Sequence, residues 1–530
     1  MRRLLPVLLL LVSATAHAEW MEASSDHFVI YGKTGERNLR RFAEQLERFD
    51  AAMSVVTGTP RSKPSRSARV TVYMVGGEHE LRALYAQDGR PSRYVAGFYS
   101  PRIEGPAAFV PDVIAARGEQ LELSMVVLLH EYAHHFNAVN SGFPPPRWLS
   151  EGSAEFFASA RFDAYGAVQI GRAADHRGPE LFEGLDVTAT DLLDPEHYQK
   201  RRGDGKRYDA YYGRAWLLFH YLTFEPSRKG QLAAYVKALA SGKPLREAAE
   251  SVFGDLVKLD KEMDTYLRRR SFMALTIKGE SLPIGDIAVR PLRPGEAAAM
   301  PVVIRSKRGV GSETTAAKIL ADARAVASRF PDDPAVLAAL AEAEHDAGND
   351  DAAVVAADAA LALEPGNVNA HIQKGYSLFR KAERSRDETA MRAARRAFVA
   401  LNRIENDHPV PLVYFYRSFG ALGVPPTANA VQGLEQAAGL APYAHEIRMN
   451  LAYRYLAEGK LKEARTTLLP VAYNPHGGKT AERLRAVVEQ LGQAQPGDAS
   501  ALADALAAAD GSSDDGSDED GGGEGGKPSP

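Results

Sequence analysis

The sequence predicts an α+β domain followed by an all-α repeat array, and three observations carry that expectation. Phe28-Val29-Ile30-Tyr31 and Val70-Thr71-Val72-Tyr73-Met74 read as strands on either side of a helical stretch from Arg37 to Val56. His130-Glu131-Tyr132-Ala133-His134 closes an apolar run with helical spacing. Pro331 and Pro365, 34 positions apart, end two comparable Ala-rich helical pairs.

From the N-terminus, Arg2 and Arg3 precede the apolar stretch Leu4 to Val12, and Ala16-His17-Ala18 offers the small-x-small site of a secretory signal peptide. Residues 1–18 are therefore expected to be a leader cleaved near Ala18, with a periplasmic or secreted product. The chain has no cysteine, which excludes a lipobox, disulfides and thiolate metal ligands. Beyond the leader no apolar run approaches the roughly 20 residues of a membrane span, so none is expected after cleavage. At 530 residues and 45% hydrophobic content the chain can bury several cores, while a net charge of −4 gives no reason to expect a nucleic-acid partner.

In the first domain, 19–275, the apolar residues Leu121, Leu123, Met125, Val126, Val127, Leu128 and Leu129 would bury one side of a helix and leave a polar edge on a cleft. On that helix His130 and His134 share a face and can bind one metal ion, with Glu131 beside it as a base, a pattern whose chemistry is hydrolysis. His135 falls off that face and is expected to pack or support rather than to ligate. A hydrolytic zinc site needs a third protein ligand. The metzincin spacing is excluded, because its Gly and His positions hold Asn137 and Asn140. After Pro144-Pro145-Pro146, the segment Arg147-Trp148-Leu149-Ser150-Glu151-Gly152-Ser153-Ala154-Glu155-Phe156-Phe157 reads as a second helix, from which Glu151 would point back at the metal.

With Trp148, Leu149, Glu151, Gly152 and Ala154 in place, these two helices resemble the gluzincin (peptidase MA-like) zinc metallopeptidases, whose second helix carries a W-L-x-E-G-x-A context. The resemblance implies a zincin-like fold, Zn2+ as cofactor, Glu151 as third ligand beside His130 and His134, and Glu155 as a carboxylate that supports a ligand histidine. It also implies catalysis by Glu131, and a substrate-pairing edge strand near Ala96-Gly97-Phe98-Tyr99 and Pro106-Ala107-Ala108-Phe109-Val110. Tyr211-Tyr212-Gly213-Arg214-Ala215-Trp216-Leu217-Leu218-Phe219 is similar to the helix whose tyrosine stabilises an oxyanion in that family. One register selects Tyr211, and a shift of one selects Tyr212. The basic run from Arg201 to Arg207 just before it reads as a solvated loop.

Residues 276–312 are richer in Pro and Gly and are expected to be a linker holding one or two short strands. Residues 313–495 resemble tetratricopeptide repeats: Leu337, Leu340, Ala341, Ala353, Ala357 and Ala360 stand where that repeat packs its helices, and Pro409, Pro442 and Pro475 recur every 33 positions. The stretch from about Arg380 to His408 carries an insertion, and Leu451, Ala452, Tyr455 and Ala464 resume the pattern. Residues 496–530 are expected to be a disordered acidic tail.

The expectation is an exported zinc metalloendopeptidase acting on a peptide or protein substrate, with the repeats binding a protein partner. Its alternative is a repeat-based scaffold with a non-catalytic peptidase-like domain. A G-A-M-E-N-type exopeptidase motif is absent before the metal helix, which favours internal cleavage.

Overall fold

The structure is a computed structural model that describes residues 19–89, 95–112, 121–202, 208–474 and 477–511. The expected leader, the centre of the basic run at 203–207, Pro475 and the acidic residues 512–530 lie outside them.

The chain opens with β1 (Met21–Ser24), β2 (Phe28–Gly32), α1 (Glu36–Thr57), β3 (Val70–Met74), α2 (Glu78–Tyr85), β4 (Phe98–Arg102) and β5 (Gly105–Val110). Next come α3 (Leu123–Asn140), α4 (Arg147–Ala158), β6 (Arg161–Phe162) and β7 (Val168–Ile170). A helical stretch follows: α5 (Gly178–Glu183), α6 (Ala189–Leu193), α7 (Pro195–Arg202), α8 (Tyr211–Phe224), α9 (Gln231–Ala240), α10 (Leu245–Phe253) and α11 (Leu256–Leu267). β8 (Leu275–Ile277), β9 (Ala288–Pro291) and α12 (Pro294–Arg308) complete this half.

The main sheet has the order β4-β5-β3-β2-β1-β9. Its centre, β2, β3 and β5, is parallel, and α1 supplies the crossover from β2 to β3. Period-two alternation divides the strands between two cores. Ile30, Val72, Ala108 and Val110 pack with Leu39, Phe42 and Leu46 of α1 and Leu129 and Ala133 of α3, whereas Tyr73 and Phe109 face Leu81 of α2 and Met300 and Ile304 of α12. α1 is helical because its apolar residues recur at three and four, and it ends where Gly58, at φ 70°, returns its N–H to Ser54 O. A second small sheet, β6-β7-β8, lies beside α1.

The segment 276–312 is not a free linker. β9 pairs antiparallel with β1 as the far edge of the main sheet, β8 joins the small sheet, and α12 covers the main sheet's second face. α12 also packs on the repeats through Ala299 and Val302, which share a core with Ile319, Leu320 and Ala339.

The second half is a helical, solenoid-like region of antiparallel hairpins. It comprises α13 (Glu313–Arg329), α14 (Pro334–Asp346), α15 (Asp350–Leu363), α16 (Val368–Ser385), α17 (Glu388–Ile404) and α18 (Pro409–Ala421). α19 (Ala428–Leu440), α20 (His445–Ala457), α21 (Leu461–Ala472), α22 (Gly478–Gln493) and α23 (Ala499–Gly511) follow. Ser312, Asp333, Asn367, Asp387 and Thr427 cap their helices with side-chain oxygens, and buried alanines such as Ala341, Ala357 and Ala360 let neighbouring helices approach. The inserted residues lengthen the α16–α17 hairpin to 18 and 17 residues, against 13 and 14 for α14 and α15.

The expected disordered tail begins too early: residues 499–511 form α23, because Leu502, Leu506 and Ala509 sit on one helical face and bury against α20 and α22. Among the described residues no helix is long and apolar enough to cross a membrane.

Candidate metal centre

α3 is buried from Met125 to His130, and its central turns leave only Glu131, His134 and Asn137 half-buried. α4 is buried throughout from Trp148 to Ala158, so Glu151 and Glu155, at 0% and 1% exposure, need compensating charge. The two helices bring three donors together. His130 Nε2 and His134 Nε2 are 3.0 Å apart, and Glu151 Oε2 lies 3.3 Å from the first and 3.4 Å from the second. A tetrahedral zinc with ligands at about 2.0–2.1 Å requires ligand-to-ligand edges of about 3.3 Å. The triangle fits.

The outer ring nitrogens are also engaged. His130 Nδ1 faces Glu155 Oε1 at 3.0 Å, and His134 Nδ1 faces Ser150 Oγ at 3.2 Å. If each Nδ1 carries the proton and donates outward, both Nε2 lone pairs face the centre of the triangle. Glu155 is itself anchored, through Oε1 to Arg177 at 2.6 Å and through Oε2 to His176 at 2.6 Å. Burial alone would raise the Glu155 carboxyl, but Arg177, His176 and His130 outweigh it and hold it well below the ordinary range. Burial would likewise lower His130, yet Glu155 and Glu151 overturn this and push it up to about 10. The buried carboxylates thus draw positive charge into the triangle, a demand that a divalent cation meets.

α8 is held against α4 by Gly152. A Cβ there would run into the Ala215 carbonyl oxygen, so a glycine at this position is what close helix approach requires. This docking brings the Tyr212 ring to 6.4 Å from the His130 ring. Arg177 lies 4.7 Å and Arg147 5.8 Å from the centre of the Tyr212 ring. Tyr211 turns into the core, 5% exposed, with Tyr198 at 5.1 Å and Arg147 over its ring at 4.3 Å. Of the two tyrosines, Tyr212 is the one beside the triangle.

His135 points away from the triangle. Its Nδ1 and the Tyr99 hydroxyl share a hydrogen bond at 2.7 Å, and burial lowers the ring to about 3, leaving it neutral. Ser150, Arg147, His176 and Arg177 escaped the sequence reading. Ser150 and Arg147 flank Glu151 within the motif, but nothing local ties His176-Arg177 to it. A second cluster, His27, Glu47 and Asp50, also has the residue types of a metal site. There, however, Arg61 already supplies the cation, binding Glu47 and reaching Asp50 Oδ2 through Nε at 2.6 Å. A cleft of about 970 Å³ lined by Arg37, Arg41, Arg48, Tyr165 and Arg172 includes none of the triangle's residues.

A family model described as a protein of unknown function (DUF1570) matches residues 124–246, the stretch that holds α3, α4 and the tyrosine helix α8. No curated protein matches. Among solved structures, a thermophilic TPR protein from Thermus thermophilus is similar at 20% identity and a TM-score of 0.31, over 38% of this chain and 100% of that chain.

Proposed function

We propose that this chain is an exported zinc-dependent metalloendopeptidase, with His130, His134 and Glu151 as ligands, Glu131 as the proton-transfer group and Tyr212 as oxyanion donor. The observation that carries the reading is the convergence of His130 Nε2, His134 Nε2 and Glu151 Oε2 within 3.0–3.4 Å, each imidazole backed on its other nitrogen.

A zinc ion held by these three atoms supplies a Lewis acid and the means to activate water near neutral pH. Glu131, half-buried on the adjacent turn position, takes the proton of the attacking water on its carboxylate and delivers it to the leaving amine. Tyr212 donates its hydroxyl hydrogen to the carbonyl oxygen as negative charge develops there. Arg177 and Arg147, 4.7 and 5.8 Å from its ring, place positive charge beside this tyrosine. β4, the edge strand beside α3, offers backbone groups to a peptide in extended form, a mode that reads backbone rather than side chains.

The test is cleavage of a complex peptide library by the zinc-loaded chain beside Glu131→Gln, with cut sites read by mass spectrometry and zinc by elemental analysis. Internal cuts by the wild type and none by a zinc-replete Glu131→Gln chain are expected. Equal cutting by both would overturn the role of Glu131, and no cutting by a zinc-replete wild type would favour the scaffold alternative.

A further inference from the structure

The β4–β5 hairpin turns through Ile103 and Glu104, a tight loop at a sheet edge where exposure is the rule. Here the tip is covered. Ile103 is 4% exposed and shares an apolar cluster with Ile372, Phe379, Val413 and Tyr443 of the array. Glu104 Oε1 accepts from the Tyr376 hydroxyl at 2.8 Å, and Oε2 accepts from Arg102 Nε at 3.2 Å. Burial would raise this carboxyl, but Arg102, Lys307 and Tyr376 outweigh it and bring it down to about 2.

The groups around the tip come from one face of the array. Tyr376 of α16 is flanked by His345 of α14 at 5.7 Å and by Tyr414 of α18 at 4.7 Å, and Tyr443 lies two residues before α20. These are the first helices of successive hairpins, which together line the face that stacked helical repeats present to ligands. The contact also reaches the metal helix. The Tyr443 ring lies 5.2 Å from the His135 ring, whose Nδ1 is hydrogen-bonded with the Tyr99 hydroxyl of β4. Array, edge strand and α3 meet at His135.

We propose that this face of the array is an interaction surface whose ligand is the chain's own β4–β5 hairpin, and that the contact holds β4 against α3. The partner expected for the repeats is then in cis at this face. A free polypeptide would compete there with a tethered ligand at an effective concentration on the order of millimolar or above. A partner in trans is left the outer helices. This inference does not rest on the zinc site or on turnover.

Hydrogen exchange read by mass spectrometry on the full chain tests it, with Ile103→Asp against the wild type. Amides of Phe98–Arg102, of α3 around His135 and of α16 and α18 are expected to exchange at least about tenfold faster, while α10 and α11 keep their protection. Loosening confined to the array, or no loosening, overturns the proposal. If Ile103→Asp also strips protection from α10 and α11, Glu104→Gln and Tyr376→Phe decide by the same comparison. Each should loosen β4 several-fold and leave α10 and α11 unchanged, and an unaltered β4 in both overturns the proposal.

Discussion

His130 Nδ1 stands 3.0 Å from Glu155 Oε1, and that same oxygen accepts from Arg177 at 2.6 Å. One carboxylate therefore orients the His130 imidazole and is itself fixed from behind. Glu155→Gln keeps an acceptor but removes the charge, so the imidazole becomes a weaker and less ordered donor. Zinc affinity is expected to fall by about 10–100-fold, measured by competition with a chelator of known affinity. Unchanged affinity would show that Glu155 only stabilises the helix pair.

Gly152→Ala sets two known effects against each other. Alanine gains about 1 kcal/mol of helix propensity over glycine, but its Cβ would meet backbone atoms of Ala215, which no rotamer change can move aside. Overpacking of this kind costs about 1–3 kcal/mol, so the clash wins. Melting should shift down by a few degrees, and zinc affinity should fall as Glu151 is displaced with α4. A variant as stable as the wild type would mean that α4 and α8 stand further apart.

What could be read from the sequence was local. The i, i+4 histidines needed only a helix, and Val70–Met74 is bounded as a strand by its β-branched run. β9 could be placed no more closely than as one of the short strands expected within 276–312, because its four residues are mostly exposed and end in a proline, and its pairing with β1 spans most of the domain. Pro301 sits inside α12, a helix in the stretch expected to be a linker, and packing on both the sheet and the array sustains it. Which of Tyr211 and Tyr212 lies nearer His130 depends on how α8 is rotated on α4, which spacing alone does not give. The meeting of Tyr443 with His135 joins residues about three hundred positions apart and had no local trace.

Tyr211 and Tyr212 should separate cleanly by kinetics. Tyr212→Phe removes a hydroxyl beside the triangle and is expected to lower kcat by about 10²–10³-fold at nearly unchanged KM, with zinc retained. Tyr211→Phe changes a core residue and should cost stability while leaving kcat within a few-fold. The reverse pattern would assign the oxyanion role to Tyr211 and overturn the reading of α8.

The His27 cluster provides a test by pH. His27 Nδ1 lies 2.9 Å from Glu47 Oε2, and its Nε2 lies 3.1 Å from Ser62 O, so the imidazolium form satisfies both ring N–H groups. Burial opposes that form, but Glu47 and Asp50 outweigh it and raise His27 above its ordinary 6.5. Burial also opposes the Glu47 carboxylate, yet His27 and its neighbours bring it from 4.5 down to about 2. A raised histidine contributes stability fully below 6.5 and loses it as pH rises through the folded value. A lowered carboxyl contributes above 4.5 and loses it as pH falls toward about 2. The pair is therefore worth most between these limits. In chelator, the melting temperature of the wild type should exceed that of His27→Gln by a few degrees between about pH 4.5 and 6.5, and the gap should close on both sides. A gap that widens steadily above pH 7 would mean that His27 is held neutral and acts only through packing.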